Sequence, residues 1–589
     1  MKSQIKELLK HNFSSLAFYY RFLGFSIIWM LAMSLLVGLL DGLGLAMFVP
    51  LLQLVSGDDR KINPEMIGNL RFLIDGLNSF GLELNLIVVL SVIAFFFTLK
   101  GIAKWLEQFL RVVYNQKLIR NARLQLLRNL TNLNYSFFIN HSSGRLQNAM
   151  TGEVWRLAQG FYSYSAMFQN LILLITYLAL AFFANPTFAI MVMLGGGLTN
   201  FLFRMFYKKT KQLSLCLVSE QNSLQSLVIQ FVANFKYLKA TNRTKNYSKH
   251  LRDKIIEVEL TNRKIGEIDS LSAGFREPLL IYILIVVICI QAYFLKGNIG
   301  SVIVSLLFLY RGLSSVVLLQ SSYNRFLSFH GSIENYDKLN NELKKGVQQF
   351  SDNEIQDIRN SVVFENVSFA YNDKVILSNV NFRVNKGELI GVIGESGSGK
   401  TTLINLIAGL IRPGGGDIKI DGASLVDINV PSYQNRIGYI TQEPIIFEDS
   451  IFNNVTFWDT PSKANLDRFC SAVRKAHIFD FIDSLPLKEH EVIGLNGANL
   501  SGGQKQRLSI ARELYKNIDF LLLDEATSAL DQDTQKQITK TIMELKKDLA
   551  IVYITHNLDH LKGFSKVFEV ANGNLIEKSN TNSSSHSYF

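Results

Sequence analysis

The run "ELIGVIGESGSGKTTLINLIAGLI", residues 388–411, decides the fold of the C-terminal part of this chain. A short apolar stretch reads as a buried strand, and the apolar stretch after Lys400 reads as a helix. Between them lie Gly394, Gly397 and Gly399. Strand, glycine loop and helix form the context that a phosphate-binding loop requires. The glycines let the backbone turn its N–H groups toward phosphate oxygens. Lys400 places a cation on the β- and γ-phosphates, and the Thr401 hydroxyl is a ligand for Mg²⁺. Glu395, Ser396, Ser398 and Thr402 complete the stretch assigned to the nucleotide.

A second buried strand, "IDFLLLDE" at 518–525, ends on Asp524 and Glu525. An Asp–Glu pair at a strand end says little alone. Beside a phosphate loop it reads as a Mg²⁺ neighbour, Asp524, and a base, Glu525, that polarises the attacking water. The ligands expected are therefore ATP and Mg²⁺.

The whole chain has 589 residues, 48 % of them hydrophobic and 11 % aromatic. Its mean hydropathy of +0.17 is too apolar for a soluble protein of this length, so membrane spans are expected. Six apolar stretches fall near 22–50, 86–110, 160–184, 187–207, 279–296 and 299–320. Each supplies about 20 residues, enough for roughly 30 Å of hydrocarbon. Pro186 breaks the third from the fourth, and "FLKGNIGS" turns between the fifth and sixth.

The net charge of +11 sits mainly in the connections between spans two and three and between spans four and five. The first of these carries Lys100, Lys104, Arg111 and further basic residues against Glu107 and Glu153. Positive-inside logic puts both connections and both termini in the cytoplasm, and the 56–85 loop outside. A short external helix is expected in "IGNLRFLIDGLNSF" of that loop. The N-terminal 1–21 reads as an amphipathic helix on the membrane surface. No basic surface separate from the loops points to nucleic acid. Cys216, Cys289 and Cys470 have no disulfide or zinc spacing.

The organisation expected is a transmembrane domain over 1–345, a polar linker over 346–360, an α/β ATPase domain over 361–578 and a disordered tail over 579–589.

"NLSGGQKQRLSIARELY", 499–515, resembles the signature of ABC-type ATPases; Leu500, Ser501, Gly502, Gly503 and Gln504 match it without departure. A Ser-Gly-Gly opening a helix offers N–H donors and a positive dipole end to a phosphate. The other family markers follow in order: Tyr371 in "FAYND", Gln442 in "GYITQEP", Ser528 to Asp531 and His556 in "VYITHNLDH". The resemblance implies that Tyr371 stacks on adenine. Gln442 senses Mg²⁺, Asp531 belongs to the D-loop, and His556 contacts the γ-phosphate. It also implies that the signature meets ATP held by a second subunit, so a homodimer is expected. One departure is the pair Leu495 and Asn496, where many exporters have Glu-Arg.

Six spans before one ATPase domain make an exporter-type half-transporter, a multi-domain membrane protein with a six-helix all-α domain and an α/β P-loop domain. "FFINHSSGRLQNAMTGEVWRL" and "VIQFVANFKYLKATNRTKNY" resemble its two intracellular loops; the first is expected to dock a short helix on the ATPase domain. The whole chain is similar to the PglK-type flippases of lipid-linked oligosaccharides in bacterial inner membranes, through "LDGLGLAMFVPLLQLVSGD", "TGEVWRL", "NFKYLKA" and "LYRGLSS". The cargo so implied is a polyprenyl-pyrophosphate-linked glycan, an anion that guanidinium forks hold well. Lys100, Arg276 and Arg311 are the candidates to hold it. Arg311 alternatively neutralises Asp41 of the first span. Other cargoes, namely another lipid or a hydrophobic peptide, and an ATP-gated channel remain open at this point.

Overall fold

The computed structural model describes residues 15–48, 50–51, 54, 85–184, 186–293, 299–348, 350–372, 374–494, 497–526, 530–555 and 563–578. The chain divides into two units, Met1–Leu133 with Ile139–Val347, and Asn134–Phe138 with Gln348–Phe589.

The first unit is helical. Its elements are α1 (Ser26–Ala46), α2 (Leu86–Thr131), α4 (Ser143–Asn148), α5 (Val154–Ala184), α6 (Pro186–Ala233), α7 (Phe235–Ala240), α8 (Thr244–Tyr293), α9 (Ile299–Ser328) and α10 (His330–Lys345). The short α3 (Tyr135–Phe138) groups with the second unit. Four of its helical runs are long and apolar enough to cross a membrane: Ser26–Ala46, Leu86–Thr131, Ser143–Phe183 and Thr244–Ile290. The expected spans at 187–207 and 299–320 fall on α6 and α9, part of whose side chains lie outside the described residues.

The long connections expected to be loops are mostly helix. At about 1.5 Å per residue, the 46 residues of α2 reach roughly 70 Å, more than twice the hydrocarbon thickness. No proline or glycine pair interrupts Lys104–Thr131, so the basic half continues the helix of the apolar half. Pro186 starts α6, where its missing N–H costs nothing. Pro278 lies inside α8, where it removes a helical hydrogen bond two residues beyond Arg276.

Polar contacts fix α1 and α2 antiparallel. Asn121 donates to the Phe22 carbonyl at 3.0 Å, Ser34 donates to Glu107 at 2.7 Å, and Lys100 pairs with Asp41. Glu107 and Arg111, counted in the sequence among the charges between spans two and three, are buried. Gln169 of α5 donates to Glu107 at 2.9 Å, and Arg111 donates to Glu107 at 3.1 Å and to Gln169 at 2.8 Å. The physical reason is helix continuation: both residues stay on the face of α2 that packs on α1 and α5.

The expected surface helix at the N-terminus is also corrected in its second half. Phe18, Tyr19, Phe22 and Leu23 are buried, with Tyr19 against Phe161 and Tyr164 and Phe18 against Tyr336. Aromatic burial in the bundle outweighs lying flat on lipid. Residues 1–14, the expected external helix within 56–85 and the 579–589 tail lie outside the described residues.

The second unit carries two sheets. One is antiparallel, in the order β2 (Lys374–Asn385), β1 (Ser361–Tyr371), β4 (Gly415–Ile420) and β5 (Ala423–Ser424). The other runs β10 (Asn574–Lys578), β9 (Lys566–Ala571), β3 (Leu389–Ile393), β8 (Ala550–Ile554), β7 (Phe520–Asp524) and β6 (Ile437–Ile440). From β9 to β6 every pairing is parallel. Parallel strands are covered on both faces, which is why β3, β7 and β8 read as unbroken apolar runs. Helices α11 (Lys400–Ile407), α12 (Gly502–Tyr515) and α13 (Gln532–Leu545) complete the parts that matter for function.

Candidate functional site

The chemistry gathers at the carboxyl ends of the parallel strands, where open α/β sheets hold their ligands. The 394–400 loop leaves β3, Asp524 and Glu525 end β7, and β8 lies between those two strands. Gln442 follows β6 by two residues.

The loop needs its glycines. Gly394, Gly397 and Gly399 have φ of 150°, 80° and 112°. A Cβ on Gly394 would come within 2.6 Å of the Val570 carbonyl. Lys400 is buried and folds back on the loop, donating to the carbonyls of Gly394 at 2.8 Å and Glu395 at 2.7 Å. Burial pulls its ammonium below the ordinary lysine value, while Glu525 and Asp524 oppose that pull. The Ser398 hydroxyl oxygen is buried without a hydrogen-bond partner among the described residues. Thr401 is exposed and Thr402 buried at the start of α11. A cation, an orphaned hydroxyl and a helix N-terminus beside two carboxylates fit a nucleotide with its divalent metal.

Glu525 holds a left-handed backbone, φ 49°, with its N–H bonded to the Ile554 carbonyl at 3.1 Å. Non-glycine residues adopt that conformation where surrounding structure imposes it, often at functional sites. Gln442 donates to its carboxylate at 2.7 Å. Gln442, Glu525, Asp524 and Lys400 are thus brought together.

Other residues singled out in the sequence lie apart from this group. Tyr371 ends β1, half-exposed, with its ring edge-on to Phe369 at 4.8 Å. Ser501 caps α12: its hydroxyl accepts from Gln504 N–H at 3.2 Å, and its own N–H donates to the Gln504 side chain at 2.8 Å. This capping box uses up the Gln504 amide oxygen and leaves Gly502 exposed at a helix N-terminus. Asp531 caps α13 by accepting from Thr534 N–H at 3.0 Å, a bond that lowers its pKa. His556 and Ser528, with Leu495 and Asn496, lie outside the described residues.

The segment Asn134–Phe138, just ahead of and overlapping the start of the expected docking stretch, clusters with the ATPase unit. Tyr135 is within electrostatic reach of Tyr439 on β6, whose hydroxyl burial pushes up to about 12 with help from Asp524 and Tyr135. The sequence signal missed was the polar break "NLNYS" in a long helix.

Inside the helical unit, Asp41 is buried and its carboxylate is shared between Lys100 and the Tyr177 hydroxyl. Arg311 is exposed on α9. Arg276 is buried between α6 and α8, over the Phe203 ring at 5.6 Å and beside the Tyr207 hydroxyl, with no close hydrogen bond to its guanidinium among the described residues. The sequence named all three cations but not Tyr177, Gln169 or Ser34, whose polar roles appear only when helices are paired.

An α/β ATPase unit whose chain also builds long apolar helices is the engine of a membrane transporter. Residues 12–320 match the family model for the ABC transporter transmembrane region, and 377–528 match the ABC transporter model. The chain belongs to the ABC transporter family and is an ATPase coupled to transport. It is 26% identical over 492 residues to an ATP-dependent lipid A-core flippase of Haemophilus influenzae, covering 82% of this chain and 83% of that one. Similarity to the protein so named in Desulfotalea psychrophila is 28% over 520 residues, covering 84% and 86%. A bacterial Atm1-family ABC exporter with ATP bound shares the fold at a TM-score of 0.73 and 21% identity, over 94% of this chain and 95% of that one. The fold is that of an exporter half-transporter.

Proposed function

We propose that two copies of this chain form an exporter in the bacterial inner membrane, with the ATPase units and both termini cytoplasmic. The dimer turns an anionic, lipid-linked amphiphile across the bilayer, and a polyprenyl-pyrophosphate-linked oligosaccharide is the preferred cargo. The observation that carries the cargo reading is the pair of cations on apolar helices, Lys100 half-buried and Arg311 exposed. Ionisable groups at membrane depth are expensive and mark substrate paths. The guanidinium of Arg311 matches phosphate oxygens in a fork, and Lys100 adds a point charge. Arg276 belongs to the same proposal as a third cation.

In the ATPase unit, the 394–402 loop and Lys400 hold the phosphates, and Tyr371 stacks on the base. Thr401, Gln442 and Asp524 would hold Mg²⁺, which offsets phosphate charge when bound. Glu525 takes the proton of the attacking water, and Gln442 orients that carboxylate. His556 contacts the γ-phosphate. Ser501, Gly502, Gly503 and Gln504 of one copy, with Asp531, face the nucleotide held by the other. Closure of the two ATPase units, transmitted through the cytoplasmic loops, reorients the helices, and hydrolysis resets them.

A second reading is another lipid cargo, favoured by the similarity to lipid A-core flippases. The test is ATP hydrolysis by the reconstituted protein against added lipids. A diphosphate-linked glycolipid stimulates it more than phospholipids or a hydrophobic peptide. Stimulation by phospholipid or peptide alone overturns the cargo.

A further inference from the structure

We propose that Arg512 and Glu513 are positioning residues for hydrolysis. From consecutive places on the signature helix they clamp both ends of the Gln442 loop, so that the nucleotide at the signature of one copy sets the aim of that copy's own base, Glu525. This rests on the paired-site reading given above and adds a link between the two sites that the reading leaves open.

Gln442 lies three residues after Tyr439 of β6 and three before Ile445. The Tyr439 N–H donates to the Glu513 carboxylate at 3.2 Å, and Arg512 Nη1 donates to the Ile445 carbonyl at 2.7 Å. Both ends of the loop are therefore tied to one turn of α12. The far end is fixed further. Arg512 donates from Nε to the Asn454 carbonyl at 2.6 Å and from Nη2 to the Asn454 side-chain oxygen at 3.1 Å. That same oxygen accepts from the Phe447 N–H at 2.9 Å, and the Asn454 amide nitrogen donates to the Phe447 carbonyl at 2.9 Å. Arg512, Glu513 and Asn454 are all buried, so water competes little for these bonds. The Arg512 guanidinium also lies over the Phe447 ring at 5.2 Å. Lys516 shares the Glu513 carboxylate at 2.7 Å.

Packing alone does not call for this arrangement. Apolar side chains of similar volume hold a helix on a sheet as well as a buried Arg and Glu do. What the two charged groups add is direction: each bond fixes one end of the Gln442 loop relative to α12. Gln442 in turn holds the Glu525 carboxylate. Helix α12 starts at Gly502, ten residues and roughly 15 Å ahead of Arg512. A helix of that length moves as a rod. A phosphate drawn to its N-terminus shifts Arg512 and Glu513 with it, and they carry Gln442.

The consequence runs across the dimer. The signature of one copy faces the nucleotide held by the other, whereas Gln442 and Glu525 of that copy serve its own nucleotide. Binding at the second site is thereby read at the first, and each site is fully active only when both are filled.

The test is hydrolysis by the purified full chain across a range of ATP concentrations, with ATP binding and melting temperature measured beside it. Wild-type protein shows a Hill coefficient of about 1.5 or more, the ceiling being the number of sites. Glu513→Leu removes the acceptor of the Tyr439 N–H. Maximal hydrolysis then falls about tenfold and the Hill coefficient drops to about 1, with ATP affinity held within about twofold. Glu513→Gln keeps an oxygen acceptor but not the charge that Lys516 meets, and it recovers most of both losses. Arg512→Lys, with fewer donors for the far end, behaves like Glu513→Leu. A helix that is merely packed gives no such split between binding and turnover. Wild-type turnover and cooperativity in Glu513→Leu, or equal losses in Glu513→Gln, overturn the proposal. Should Glu513→Leu not fold, hydrogen exchange of the wild-type protein decides: amides of 439–447 and of 501–507 gain protection at one shared ATP concentration, and protection at separate concentrations overturns the clamp. A wild-type Hill coefficient of about 1 with ATP bound overturns the paired-site reading and this inference with it.

Discussion

Gln442 Nε2 donates to Glu525 Oε2 at 2.7 Å, joining the loop after β6 to the end of β7. The residue that receives this bond also has a left-handed backbone, with its N–H bonded to the Ile554 carbonyl, so Glu525 is fixed at both its backbone and its carboxylate. A base acts well only when its oxygen is aimed at one water, and this amide supplies the aim.

Glu525→Gln keeps the shape and the bond to Gln442 but removes the base. Hydrolysis falls by about 100-fold to 10,000-fold while ATP affinity is held, a split typical of a group acting in the transition state. Phosphate release and retention of labelled ATP on the purified protein measure the two arms. Near-normal hydrolysis would remove Glu525 from the mechanism.

Glu107→Leu leaves the buried guanidinium of Arg111 without its carboxylate. Breaking such a pair costs about 3–5 kcal/mol, whereas replacing both partners is close to neutral. Thermal unfolding in detergent shows a large drop for Glu107→Leu and recovery in Glu107→Leu with Arg111→Met. Equal drops in the two proteins would mean that the Ser34–Glu107–Gln169 bonds, not the charge, are what matters.

Glu153 gives the helical unit a pH dependence. It ends the π-helical turn Ala149–Glu153, is buried, and accepts from Asn335. Burial raises its carboxyl to about 7, while Asn335, Arg145 and Arg156 pull the other way. The folded value lies above the unfolded one, so the protonated form favours the fold. That stability is complete at low pH and is lost as pH rises through about 7. Glu153→Gln mimics the protonated acid and stabilises the protein at pH 8 by up to about 3 kcal/mol, with the gain shrinking toward pH 5. Melting curves of both proteins across pH 5–8 check this; parallel curves would contradict it.

Arg276 is a buried cation whose guanidinium makes no close hydrogen bond among the described residues, with the Tyr207 hydroxyl and Asp269 as its electrostatic neighbours, so Arg276→Met removes a desolvated charge and keeps the volume. Melting temperature holds or rises, as for other buried charges replaced by packed apolar groups. Lipid-stimulated hydrolysis falls if the guanidinium meets cargo during the cycle. A destabilised Arg276→Met protein would show instead that the guanidinium holds the fold together.

The ATPase unit was legible because its chemistry is local. Gly394 to Thr402 and Asp524 with Glu525 are short strings whose strand and helix neighbours can be read beside them. Ser501 and Gln504 show the same locality, since a capping box closes within one turn. The helical unit was legible only in outline. Glu107 and Arg111 look like solvated charges in one dimension, because Ser34 and Gln169, which bury them, are 73 and 62 residues away from Glu107. Asp41 could be suspected as an intramembrane acid, yet its choice of Lys100 over Arg311 depends on the register of α1 against α2. Phe18, Tyr19 and Phe22 misled for a related reason: an aromatic face suits lipid and protein equally until a partner such as Tyr336 is known.

The most direct measurement is translocation by the purified chain in sealed liposomes holding a fluorescent polyprenyl-diphosphate-linked glycan, scored by its protection from an outside quencher. With ATP and Mg²⁺, wild-type protein moves the glycan from the ATPase side to the other leaflet, and the Glu525→Gln protein does not. Movement at equal rate in both proteins, or in the absence of ATP, would contradict an ATP-driven flippase.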